Sequence, residues 1–168
     1  MGLSNRKTIT VLFTRYSDKI SNLIYFITGR GYTHASLALN EGDNCYYSFN
    51  FKRFRMEHPE KHKNRCGMSA AYLLEITDKE YEDIKNLIDD MVKKKERFGY
   101  SCIGLFLSIL GISFEKNNRY FCSQFVADIL QQTKSVCLSK NPSLYLPNDL
   151  LYALNSQKCL SRIIYNPI

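Results

Sequence analysis

Two side chains of this 168-residue chain could carry out acyl transfer together: a cysteine where an amphipathic helix should begin and a histidine where a strand should begin. The cysteine is Cys122, in Tyr120-Phe121-Cys122-Ser123-Gln124-Phe125-Val126-Ala127-Asp128-Ile129-Leu130, with Phe121, Phe125, Val126, Ile129 and Leu130 recurring at helical spacing. The histidine is His34, in Tyr32-Thr33-His34-Ala35-Ser36-Leu37-Ala38-Leu39. A helix N-terminus points unpaired N–H groups and the positive end of its dipole outward. That field favours a thiolate over a thiol and a developing oxyanion over a neutral carbonyl. An imidazole beside the sulfur would act as base and return the proton to the leaving group. The backbone N–H groups of Cys122 and Ser123 are the natural oxyanion donors. A third polar group should fix the imidazole tautomer; strand pairing makes Ser48 the first choice, with Asn50 and Asn40 behind it. By spacing alone, Cys122 could equally be a small buried hydrophobe and His34 a core histidine.

The elements that must position these residues follow from periodicity. Thr8 to Phe13 is β-branched and apolar and reads as a first strand. Ser17-Asp18 can cap a helix with Ile20, Leu23, Ile24 and Ile27 on one face, ending at Gly29 and Gly31. His34 opens the second strand, and the turn Glu41-Gly42-Asp43-Asn44 returns the chain as Cys45 to Asn50, a hairpin partner on which Ser48 could face His34. The polar stretch Lys52 to Ser69 predicts a long surface loop at a substrate entrance, followed by a strand from Ala70 to Ile76. Thr77-Asp78-Lys79-Glu80 is a capping-box pattern ahead of a helix with Tyr81, Ile84, Leu87, Ile88, Met91 and Val92 on one face. Tyr100 to Leu110 is apolar nearly all round, which predicts a buried helix packed against the Cys122 helix. Pro142 and Pro147 bracket a loop before a short helix near Asp149 to Leu154, and Arg162 to Tyr165 read as a last strand.

Composition narrows the classes. Hydrophobic residues make up 45% and charged residues 23% of the chain, as in an ordinary globular domain. Without a repeat, low-complexity tract or linker, residues 1–168 read as one domain. The net charge of +7 comes largely from Lys52 to Arg65 and Lys93-Lys94-Lys95, which fits solvated surface or weak contact with an anionic membrane surface. The aromatic and basic stretch Tyr46 to Arg55 matches no nucleic-acid module, so no specific nucleic-acid partner is expected. The six cysteines show no CxxC pairing and the N-terminal residues no apolar signal core, which points to a cytoplasmic protein. His58, His62 and Cys66 recur every four residues, but Pro59 interrupts any helix that would align them. No metal and no cofactor are expected.

The His34 and Cys122 segments, with Tyr47-Ser48-Phe49 between them, resemble the circularly permuted papain-like proteins. These form the branch of the NlpC-type peptidase superfamily that includes YiiX-like bacterial proteins and lecithin:retinol acyltransferase-like enzymes. The resemblance covers roughly Thr8 to Leu154 and implies an α+β domain, an antiparallel β-sheet packed against helices, with the catalytic cysteine at a helix N-terminus. Permutation accounts for the histidine preceding the cysteine. Carried over by motif, Cys122 is the nucleophile and His34 the base, and the third position falls nearest Ser48, where the family more often has histidine, glutamate, glutamine or asparagine. The implied activity is that of a thiol hydrolase (peptidase or amidase) or acyltransferase acting on an amide or ester carbonyl of a peptide or lipid. The alternative is a weak or inactive relative that binds such a ligand in the same cleft.

Overall fold

The computed structural model describes residues 6–16, 22, 25, 31–42, 44–58, 60, 63, 64 and 66–168. Its framework is a six-stranded antiparallel sheet in the order β4-β3-β2-β1-β5-β8. The strands are β1 (Arg6–Tyr16), β2 (His34–Ala38), β3 (Tyr46–Phe49), β4 (Phe54–Glu57), β5 (Cys66–Thr77) and β8 (Leu160–Tyr165). Two short parallel strands, β6 (Gly99–Tyr100) and β7 (Arg119–Tyr120), form a separate ladder. The helices are α1 (Asp78–Lys93), α2 (Cys102–Ile109), α3 (Cys122–Gln131) and α4 (Pro147–Asn155). The helix expected between Ser17 and Gly29 falls almost wholly outside the described residues.

Strand periodicity decides which face carries the core. Ile9, Val11 and Phe13 of β1, Ala35 and Leu37 of β2 and Tyr72, Leu74 and Ile76 of β5 meet Ile84 and Ile88 of α1, Phe125, Val126, Ile129 and Leu130 of α3 and Leu150 and Leu154 of α4. Leu12, Ala71 and Leu73 turn to the other face and form a smaller cluster with Tyr46 and Ile168. The central strands are therefore buried on both sides at mid-length, which accounts for the near-continuous apolar run of β1.

Two sequence expectations are corrected. Lys52 to Ser69 is not one loop: it contains β4, paired with β3 from Phe49↔Phe54 to Tyr46↔Glu57, and the start of β5 at Cys66. Its charge is that of a sheet edge, where charged side chains discourage further pairing. Nor is the Tyr100 to Leu110 segment buried all round. Leu105 of α2 packs on Phe121 and Leu146, while Ile103, Phe106 and Leu110 stand 63%, 60% and 57% exposed.

The capping box forms as the sequence predicts. Thr77 Oγ1 accepts the Glu80 N–H at 3.3 Å, and Glu80 Oε2 accepts the Thr77 N–H at 2.9 Å. Glu80 also accepts from the N–H groups of Lys134 and Ser135 and from the Ser135 hydroxyl, tying α1 to the segment after α3. Partial burial pushes the Glu80 carboxyl up, but the Ser135, Thr77 and Lys134 bonds overcome it and hold the group at about 2. A depressed carboxyl pKa stabilises the fold above its unfolded value, and that contribution is lost as pH falls toward the folded one. Glu80→Ala should lower stability by about 1 kcal/mol at neutral pH, a figure discounted for partial exposure. In urea unfolding, the gap between wild type and variant should close as pH falls from about 4.5 toward 2; a constant gap would exclude this role.

Candidate active site

The site gathers at the His34 end of β2. β1 and β2 pair through Thr14↔His34, and a register shift between Arg15 and Tyr16 re-aims the end of β1. The Tyr16 ring lies 5.4 Å from the imidazole of His34, tilted by 49°. Ahead of the histidine, Asn148, in the first turn of α4, accepts the Tyr32 N–H at 2.9 Å. A Cβ on Gly31 would run into the Asn148 amide, so the chain passes this close to α4 only as glycine. The approach to His34 is thus pinned by a helix on the core side.

The third partner of the imidazole is a carboxylate. His34 Nε2 lies 2.8 Å from Glu57 Oε2, contributed by the last residue of β4. With Nε2 committed to Glu57, Nδ1 is the nitrogen left to face Cys122, and the imidazole and the thiol are near enough for each to shift the other's titration. The backbone of Ala35 and of Ser123 also favours the ionised sulfur. His34 is 8% and Cys122 5% exposed, so the pair is largely desolvated and its charges attract more strongly than they would in water.

These contacts oppose burial and win. Desolvation disfavours the imidazolium, yet the Glu57 carboxylate and the Cys122 sulfur hold His34 well above its ordinary 6.5. Desolvation likewise pushes the thiol up, but the His34 charge and hydrogen bond, with the Ala35 and Ser123 N–H groups, bring Cys122 below its ordinary 9.0. The two shifts together favour a thiolate–imidazolium pair, the form in which sulfur is the stronger nucleophile.

The expected orienters are engaged elsewhere. Ser48 Oγ donates to the Ala35 carbonyl at 2.7 Å, and the Leu37↔Tyr47 pairing, continued along the ladder, sets Ser48 opposite Ser36 rather than His34. Asn50 Oδ1 accepts the N–H groups of Lys52 and Arg53, and Asn40 Oδ1 accepts the Tyr81 hydroxyl. Ser48 nonetheless serves the site indirectly. Its hydroxyl satisfies the carbonyl of Ala35, and the backbone of that same residue is among the groups that lower the Cys122 pKa.

At the head of α3, the Ser123 N–H, expected as an oxyanion donor, lies in the first turn beside Cys122 and lowers its pKa. The Cys122 N–H belongs to the same first turn, which has no intrahelical acceptor. Gln124 folds back so that its Oε1 accepts the Phe121 N–H at 3.4 Å. Of the residues weighed as metal ligands, His58 Nδ1 bonds the Asn44 carbonyl and the Cys66 thiol donates to Met68; His62 lies outside the described residues. No cluster of metal-ligating side chains occurs among the described residues. Glu57 is the residue that sequence reasoning missed. Its signal was a single carboxylate closing the otherwise basic run Lys52-Arg53-Phe54-Arg55-Met56.

Comparison of the chain with family models, with curated proteins and with solved structures finds no match. The arrangement of side chains therefore carries the functional argument by itself.

The division of labour between Glu57 and Ser48 can be measured. Glu57→Gln removes the anion that supports the imidazolium, so alkylation of Cys122 at pH 6 should slow about tenfold or more, the equivalent of one unit in the thiol pKa. Ser48→Ala leaves a buried carbonyl unsatisfied and should cost about 1–3 kcal/mol of stability, with the midpoint of the alkylation pH profile little moved. The reverse pattern would make Ser48 the orienter.

Proposed function

We propose that this chain is a permuted papain-like domain of the NlpC type and works as a thiol hydrolase or acyltransferase on an amide or ester carbonyl of a peptide or lipid. The observation that carries this reading is the sequence of contacts Glu57–His34–Cys122, acid to imidazole to sulfur, ending at a helix N-terminus. Its support from chain order is that histidine on a strand precedes cysteine on a helix, as in the permuted branch.

In the first step the Cys122 thiolate attacks the carbonyl carbon, forming a C–S bond and placing negative charge on the carbonyl oxygen. The Cys122 N–H at the free end of α3 is the nearest backbone donor for that oxyanion. The His34 imidazolium then gives its proton to the leaving oxygen or nitrogen as the C–O or C–N bond breaks, leaving a thioester. In the second step neutral His34 takes a proton from water or from an acceptor alcohol or amine, which attacks the thioester and regenerates the thiolate. Glu57 orients the ring through Nε2 and stabilises the imidazolium each time it forms.

A second reading is favoured by the low exposure of Cys122 and His34: a weakly active or inactive member that binds a peptide or lipid in the same cleft. Mass spectrometry after incubation with a panel of activated acyl and peptidyl esters separates the two. The first reading expects an acyl adduct on Cys122 in wild type, none in Cys122→Ser, and formation slowed by at least about a hundredfold in His34→Ala. Ligand binding detected without any adduct, equal in wild type and Cys122→Ser, would establish the second.

A further inference from the structure

The outer face of α2 is the largest departure from the burial expected of this sequence. No charged residue occurs from Ser101 through Ser113, yet the helix fully buries only Leu105 and the small Gly104 and Ser108, with Ile109 partly buried against the same cluster. Ile103, Phe106 and Leu110, at helical spacing, point outward at 57–63% exposure, joined by Ile112 at 50%. Ile112 is held there by a Schellman turn. Gly111 adopts φ +73°, its N–H donates to Ser108 O, and the Ile112 N–H donates to Leu107 O, so the chain reverses and keeps Ile112 beside the helix end. Four large apolar side chains on one exposed ridge are more than the scattered apolar residues of an ordinary surface.

Cations flank this ridge at the N-terminal end of α2. A cleft of about 200 Å³ is lined by Tyr100, Ser101, Cys102, Ile103, Phe114, Lys116 and Arg119. Neither Lys116 nor Arg119 forms an ion pair with a described residue. The nearby carboxylate, Glu115, accepts a hydrogen bond from Asn141 at 2.8 Å. The inner face of α2 packs on Phe121, the residue before Cys122, and Ser101 N–H donates to Tyr120 O. The ridge is therefore borne by the element that braces the start of the Cys122 helix.

We propose that the α2 ridge is an interfacial docking surface for an anionic lipid bilayer. Ile103, Phe106, Leu110 and Ile112 enter the acyl boundary while Lys116 and Arg119 meet lipid phosphates. Apolar side chains on one face with cations at the rim are the features of a segment that lies in the membrane interface. No helix among the described residues is long and apolar enough to cross a membrane, so contact through α2 is peripheral. A second copy of the chain is the poorer occupant, because a self-complementary contact would bring the unpaired cations of two molecules with net charge +7 against one another. The inference does not depend on thioester chemistry: vesicle binding and acylation of Cys122 are separate measurements.

Flotation of the full chain with phosphatidylcholine vesicles, with and without phosphatidylglycerol, tests it. Wild type should float with the anionic vesicles and lose binding as salt is raised. Phe106→Asp and Ile103→Asp, both at exposed positions, should each weaken binding at least tenfold while circular dichroism stays native. Lys116→Glu with Arg119→Glu should do the same and flatten the salt dependence. Lys79→Glu with Lys85→Glu, an equal charge change on the outer face of α1, should leave binding within twofold. Flotation unaffected by the α2 variants, equal losses from the α1 pair, or no flotation at all would overturn the proposal. So would a concentration-dependent dimer, abolished by Phe106→Asp, in a chain that ignores vesicles.

Discussion

An imidazolium that is 8% exposed persists only if anions stand close to it, and here a carboxylate occupies one ring nitrogen and the Cys122 sulfur is near enough to raise the ring's pKa further. Much else in the fold can be traced to that demand. β4 must pair with β3 far enough for Glu57 to reach the ring. Ser48 satisfies the Ala35 carbonyl next to His34, and Asn148 with Gly31 fixes the chain just before it. A carboxylate–imidazole–sulfur chain of this kind would be costly to bury as separate charges. It becomes tolerable because Glu57 is bonded to the ring and the imidazole and sulfur each favour the other's charged form.

His34 and Cys122 were legible because each sits at a boundary between periodicities. The histidine opens a strand of alternating small and apolar residues, and the cysteine opens a helix whose apolar spacing starts beside it. The capping box was legible for a similar reason, since Thr77 and Glu80 satisfy a local pattern that needs no knowledge of the fold. The antiparallel sheet packed on helices followed from the same local patterns, joined by the hairpin turn after β2.

Glu57 and the exposed face of α2 were not legible, for opposite physical reasons. β4 is an edge strand of only four residues, and its burial runs from Phe54 inside through Arg55 and Met56 outside to a half-buried Glu57, so its alternation is too short and too charged to stand out. Which carboxylate reaches the histidine depends on the β3–β4 register, a tertiary quantity. Ser48 looked right because it lies on the neighbouring strand, but the observed pairing displaces it from His34. In α2 the composition misled instead. Apolar residues all round normally mean burial on all sides, whereas here one face meets only solvent in the isolated chain.

The central claim is that Cys122 and His34 form a thiolate–imidazolium pair supported by Glu57. The most direct measurement is the ultraviolet absorbance of the thiolate, followed through a pH titration as the difference between wild type and Cys122→Ser. The account predicts a thiolate that persists below the ordinary thiol value of 9.0 and disappears on acidification. A thiol that ionises at or above that ordinary value, in a folded protein with Glu57 intact, would contradict it.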